Sequence, residues 1–308
     1  MRIFLTGATG VIGRRVLPML LGTGHDVTAI GRTQAKRAEL ERMGARAAEV
    51  DLFNPETVRS ALAKHEVVIN LATHIPSSSG RMLMPGAWLE NDRIRKVASS
   101  ILAEAAAVAG AGWLIQESFA PVYADGGDAW IDETWPLRPA RYNRTVLDAE
   151  RSAERFTTRG GTGVVLRFGL FYGPDSFQIT DLIKMVRRGR APVFGEEGYV
   201  SSISHDDAAG AVVASLGVGP GAYNVVDNEP LRRREWVGSL ATALGVPTPK
   251  VIPRWASRVG GSLTELLARS QRISNRKLRE ASGWTPRYPS VREGWSVLME
   301  ELVAPAAR

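Results

Sequence analysis

The chain has no cysteine, which excludes disulfides, thiolate nucleophiles and zinc sites built on paired cysteines. Nothing in it points to an oxidising compartment, and a cytoplasmic setting is the expectation. Histidine is scarce, at four in 308 residues, and no HExxH pair, GxSxG nucleophile turn or correctly spaced EF-hand loop occurs. No metal is therefore expected. The longest apolar stretch, "VASSILAEAAAVAGAGWLI" from Val97, is broken by Glu104 and two glycines, so no membrane span is expected. No charged-then-apolar leader is read in "MRIFLTGATG". The formal net charge is +7 without any block of like charge. Arginine scattered in this way suits solvated helix faces or a phosphate-bearing small molecule better than a nucleic-acid surface.

What is present is an alternation of short β-rich runs with helical patterns: "RIFLT", a helix from about Gly10, "HDVTAIG", a helix near 34–43, "ARAAEVD", a helix near 55–64, then "EVVINLA". A longer helix comes next, with Ile94, Val97, Ile101, Ala105 and Val108 read as one apolar face. It leads to "GWLIQES", a helix over about 143–157 and the strand "TGVVLRFG". Such alternation predicts an α/β fold, a Rossmann-type doubly wound parallel sheet. The expected division is a dinucleotide-binding domain over 1–170 and a smaller, mostly helical substrate-binding lid over 171–308. The lid is discontinuous, because a strand near 222–226 returns to the sheet.

The first strand ends at Thr6 and is followed by Gly7, Gly10 and Gly13 at a helix start. Gly7 permits a tight turn, Gly10 removes a side chain that would block a pyrophosphate, and Gly13 lets the helix lie close to the strand while its free amides face the anion. Arg14 and Arg15 come directly after Gly13, so this is no triphosphate-binding P-loop. Arg32 closes the second strand, where an NAD-specific site would carry a carboxylate. A guanidinium there can fork around a 2′-phosphate, which favours NADP over NAD.

"TGATGVIG", Asp51-Leu52, "NLAT", Asn91, "LRFGLFYGP", "YNVVDNEP" and "GWTPRYPSVREGW" together resemble the extended short-chain dehydrogenase/reductase superfamily of the NAD-dependent epimerase/dehydratase type. The resemblance implies that Gly7, Thr9, Gly10, Val11 and Ile12 wrap the pyrophosphate, that Arg32 meets the adenosine ribose, and that Asp51 and Leu52 flank the adenine. It implies further that Leu71, Ala72 and Thr73 line the middle of the cofactor, with the backbone of Phe168, Gly169 and Leu170 near the nicotinamide. Related chains often dimerise through the helices at about 92–109 and 143–157, so a homodimer is implied.

The family's Tyr-x-x-x-Lys appears here as "YNRTV": Tyr142 is present and Val146 stands in place of the lysine. Without a cation beside it, Tyr142 is expected to be a poor base that can still donate a proton, or else a surface tyrosine. The usual hydroxyl partner falls on Phe119. Ser118, one place earlier, is expected by strand alternation to face the other way unless a bulge turns it. Ser204 stands where histidine is common, and His74, after "NLAT", is the one histidine considered for proton transfer. Two functions stay open: an atypical NADP(H)-dependent oxidoreductase or epimerase acting on a small organic carbonyl or hydroxyl substrate, and a non-catalytic NADP-binding sensor.

Overall fold

Runs such as Ile3-Phe4-Leu5 and Val67-Val68-Ile69 are fully buried, as expected of parallel strands covered by helices on both faces. The computed structural model describes residues 1–78, 80–84, 86–258 and 261–303. Its central sheet has seven strands: β1 (Arg2–Thr6), β2 (Asp26–Ile30), β3 (Arg46–Ala48), β4 (Val67–Asn70), β5 (Trp113–Phe119), β6 (Thr162–Phe168) and β7 (Gly221–Val225). The spatial order is β7-β6-β5-β4-β1-β2-β3, and every neighbouring pair is parallel. The order reverses direction between β1 and β4. That switch point opens a crevice at the carboxyl ends of the strands, where such sheets bind ligands.

One face of the sheet packs Leu5, Ile69, Ile115 and Leu166 against helices Gly13–Gly22 and His205–Ala214. The other packs Phe4, Val68 and Leu114 under helices Pro55–Leu62, Ser99–Val108 and Val146–Thr158. Helix Pro55–Leu62 starts on a clear local signal: proline opens it, and the Asn54 side chain accepts from the amides of Glu56 and Thr57 at 2.9 and 3.3 Å.

The long helix departs from the sequence expectation. It runs α-helical over Leu89–Arg93, passes through a π-helical turn at Ile94–Ala98 and resumes as α-helix over Ser99–Val108. The wider turn rotates the helical segment beyond it, so Ala98, Leu102, Ala105 and Ala106 face the core, while Val97 and Val108 are left 39% and 70% exposed.

Beyond β6 a second apolar cluster forms around Trp295, with Tyr172, Ile179, Leu182, Trp236 and Leu240. Helices Phe177–Arg187, Arg233–Ala243 and Val291–Val303 carry it. Two-stranded pairs such as Leu170–Tyr172 with Ser202–Ser204 connect it to the sheet. These strands are too short to show an alternation in sequence.

A buried polar chain crosses the sheet near the crevice. Thr6 Oγ1 donates to Asn70 Oδ1 at 2.6 Å, and Asn70 Nδ2 donates to Gln116 Oε1 at 2.9 Å and to Ser99 Oγ at 3.2 Å. It ties β1, β4, β5 and the helix behind them at one point. Asn70→Ala is expected to strand these partners and lower stability by about 2 kcal/mol, as read by urea denaturation.

Candidate active site

Gly7 has a φ of +71°, and a Cβ there would lie 2.4 Å from the Leu71 carbonyl oxygen. A Cβ on Gly13 would lie 2.1 Å from the Gly7 carbonyl oxygen and 2.7 Å from Ala8 Cα. These two glycines make the turn and its close packing feasible. Gly10 differs: a Cβ on it would meet only the Gly7 carbonyl oxygen, at 3.1 Å, and otherwise project into open space. No side chain caps the helix after this turn; the Arg14 and Arg15 amides bond back to the Gly10 and Ile12 carbonyls at 3.0 Å, and the helix start, with its positive dipole end, faces a side-chain-free wall. This cradle fits a diphosphate. Arg15 braces it, donating to the Val11 carbonyl at 2.9 Å and pairing with Asp175 at 2.8 Å and Asp206 at 2.6 Å.

At the end of β2, Arg32 is exposed and takes part in no ion pair among the described residues. Arg37 is already engaged, with Glu49 at 2.8 Å and the Gly31 carbonyl at 3.2 Å. Asp51 accepts from the Phe53 amide at 2.9 Å, and half-buried Leu52 packs against the core. Beside them opens a cavity of about 590 Å³ lined by Asp51, Phe53, Asn54, Glu56, Arg59 and Arg93, with the Arg93 guanidinium 3.7 Å from the Phe53 ring centroid. Neither Phe53 nor Arg93 had a signal in the sequence, since the two meet only across elements.

Leu71 is buried in the main core, while Ala72 and Thr73 are half-buried. The Ala72 amide donates to Asn70 Oδ1 at 3.3 Å, and Asn91 Oδ1 accepts from the His74 amide at 2.9 Å. Asn91 thereby holds the loop after β4, leaving the His74 ring exposed. Phe168 is a core residue whose ring packs against Phe171. Gly169 is a close-packing position, where a Cβ would stand 2.8 Å from the Ser201 carbonyl oxygen. The Leu170 amide donates to that same carbonyl at 3.0 Å. Ser204 caps a helix, accepting from the Asp207 amide at 3.0 Å. His205 is buried against Phe171, and burial, aided by Arg15, pushes its pKa down to about 4.

Tyr142 lies in a short 3₁₀ turn, Arg141–Asn143, with its ring 5.0 Å from that of Trp88. Burial holds its phenol well above the ordinary range, opposed by the positive charges of Arg95 and Arg269. The charges that act on the Tyr142 phenol come from two other elements, Arg95 and Arg269, and neither stands at the family's lysine position. Arg95 sits in the π-helical turn and pairs with Glu117 of β5 at 2.9 Å, and both side chains are nearly buried.

Ser118 and Val146 are both enclosed. Ser118 is 1% exposed, and its hydroxyl donates to Glu150 Oε1 at 2.5 Å. Glu150 is held in turn by Arg167, through Nε at 2.9 Å and Nη2 at 2.7 Å. Arg167 also donates to the Tyr123 hydroxyl at 2.8 Å, which donates to Asn224 Oδ1 at 2.6 Å. The structure does not bring Ser118 together with Tyr142, because it points from β5 to the helix behind the sheet. Val146 is fully buried among Val122, Tyr123, Ile131, Val226 and Ile273. Restoring the family lysine with Val146→Lys is expected to bury an ammonium group in this apolar cluster and cost several kcal/mol, roughly 3, visible as a large fall in melting temperature.

Comparison with known proteins gives the family and the same fold. The chain is 33% identical over 309 residues, 96% of its length and 99% of the other's, to 3-diazoavenalumate denitrifying reductase of a Streptomyces species. Among solved structures, MoeE5 in complex with UDP-glucuronic acid and NAD superposes with a TM-score of 0.77 at 25% identity, covering 97% of this chain and 98% of that one. The human epimerase family protein SDR39U1, with NADPH, superposes at 0.76 and 18% identity, covering 97% and 99%. The protein is an enzyme of the oxidoreductase or epimerase kind with a nicotinamide dinucleotide as cofactor. No helix among the described residues is long and apolar enough to cross a membrane. Residues 3–225 match the family model described as NAD dependent epimerase/dehydratase, and the chain belongs to that family.

Proposed function

We propose that this protein is an NADPH-dependent reductase of small organic acids, and that its first substrate class is a diazo-bearing aromatic acid whose reduction releases dinitrogen. The observation that carries this reading is the closure of the two positions that would assist a proton donor. Ser118 is held by Glu150 inside the core, and the lysine's place is an apolar cluster around Val146. Reduction of a carbonyl leaves an alkoxide that must be protonated. An aryl diazonium carbon that gains a hydride forms a C–H bond while the C–N bonding pair departs with dinitrogen; the hydride's charge cancels that of the diazonium cation, and no proton is needed. The similarity to the diazo-acting reductase over almost the whole chain supports the same class.

Gly7, Thr9, Gly10, Val11 and Ile12 would hold the diphosphate, and Arg32 the 2′-phosphate. Asp51 and Leu52 would flank the adenine next to the cavity bounded by Phe53 and Arg93. Leu71, Ala72 and Thr73, with the backbone of Phe168, Gly169 and Leu170, would line the nicotinamide half. The bound nicotinamide supplies hydride. The protein's own work is then orientation, with the packed rings of Trp88 and Tyr142 as an aromatic wall.

A second reading, ketone reduction, draws on the retained Tyr142, whose raised pKa suits a proton donor at its phenolic oxygen. Tyr142→Phe separates the two. Loss of NADPH consumption with β-keto acids alone would leave the diazo reading standing; equal loss with a diazonium benzoate would assign Tyr142 to both reactions and overturn it. For the cofactor, Arg32→Ala is expected to weaken NADPH about tenfold or more while sparing NADH, as measured by fluorescence titration. Equal losses would remove Arg32 from the 2′-phosphate.

A further inference from the structure

We propose that the Arg95–Glu117 pair is a binding site for a hydroxyl group, with Arg95 Nε–H donating to it and Glu117 Oε2 accepting from it. This rests on the reductase reading only for its place in the reaction.

Among the described residues, the chain holds two buried arginine–glutamate pairs that differ in one respect. Arg167 meets Glu150 in a two-pronged fork, Nε to Oε1 and Nη2 to Oε2, and the glutamate also accepts from Ser118. That pair is chemically complete. Arg95 meets Glu117 through Nη2 and Oε1 alone, at 2.9 Å, with side chains only 6% and 13% exposed. Arg95 Nε and Glu117 Oε2 are both buried and have no hydrogen-bond partner among the described residues. Leaving a charged donor and a charged acceptor half-satisfied in a low-dielectric setting costs free energy that a fork would have recovered.

The position of the pair matches a ligand site. Gln116 lies in register with Asn70, the last residue of β4, so Glu117 falls at the carboxyl edge of the sheet beside the switch point. Arg95 is delivered there by the π-helical turn Ile94–Ala98, a distortion frequent at functional sites. Its charge also acts on Tyr142. Adjacent to Tyr142, Asn143 is 2% exposed, and neither its Nδ2 nor its Oδ1 has a partner among the described residues.

The chemistry narrows the ligand. A carboxylate or phosphate would be repelled by Glu117, and an ammonium by Arg95. A hydroxyl supplies one acceptor and one donor and satisfies both orphaned atoms. Two sources carry that group: the ribose of the cofactor's nicotinamide half, and a hydroxyl on the substrate. In the first case the pair takes over, from another helix and a strand, the ribose-holding role left open by Val146.

The test uses the full chain with Arg95→Met and Glu117→Leu together, which removes both charges without stranding either; folding is checked by circular dichroism and thermal melting. If the double variant does not fold, Glu117→Gln, which preserves shape, carries the same comparison. Dissociation constants are measured for NADPH, for reduced nicotinamide mononucleotide, and for 4-hydroxybenzoate against benzoate in the presence of NADP⁺. A loss of about tenfold to a hundredfold for both nicotinamide compounds assigns the ribose. Unchanged nicotinamide binding with a lost preference for 4-hydroxybenzoate assigns a substrate hydroxyl. A folded variant that binds all four probes as the parent does overturns the proposal. Because every readout is binding, failure of the parent to consume NADPH would sink the reductase reading and leave this result interpretable.

Discussion

The architecture depends on a backbone crossing that tolerates no side chain. Where β1 ends, Gly7 passes so close to Leu71 that a Cβ would sit 2.4 Å from its carbonyl oxygen, and the turn it makes brings Gly13 against Gly7 in the same manner. This contact sets the distance between the ends of β1 and β4, and therefore the width of the crevice. It also aims the uncapped helix start into that crevice. Asn70 reinforces the crossing from below by joining Thr6, Gln116 and Ser99.

Around this fixed point the two halves of the crevice are finished differently. On one side, Arg32 and Asp51 are exposed just past the ends of β2 and β3. On the other side, among the described residues, one buried arginine–glutamate pair is complete, and another keeps two buried polar atoms without a partner. The closed pair recruits Ser118, which removes that hydroxyl from the crevice. Val146, where the family has lysine, is packed in an apolar cluster. On the proposed reading, the site does without a lysine at Val146 and an open Ser118, and the Tyr142 phenol lies in the field of two guanidinium groups.

Much of the fold was legible because it is written in local patterns. Strand candidates from "RIFLT" to "TGVVLRFG" come from apolar runs between turn signals, and the glycine spacing after β1 states its own purpose. The reading of one apolar face through Ile94, Val97, Ile101, Ala105 and Val108 held at Ile94 and Ala105 and failed at Val97 and Val108, because a π-helical turn has no periodic signature. The strand pairs near Leu170 and Ser202 escaped notice because two or three residues carry no alternation.

By itself the sequence determined the parallel sheet, the diphosphate cradle and the absence of lysine four residues after Tyr142, since each is a matter of residue type at fixed spacing. Only the tertiary structure decided which charges act at the site. Arg95 and Glu117 are 22 residues apart, and Ser118 and Glu150 are 32 apart. Whether a buried ionic group is completed by protein or left open to a ligand depends on which side chains the fold brings within hydrogen-bond reach, and no local pattern encodes that.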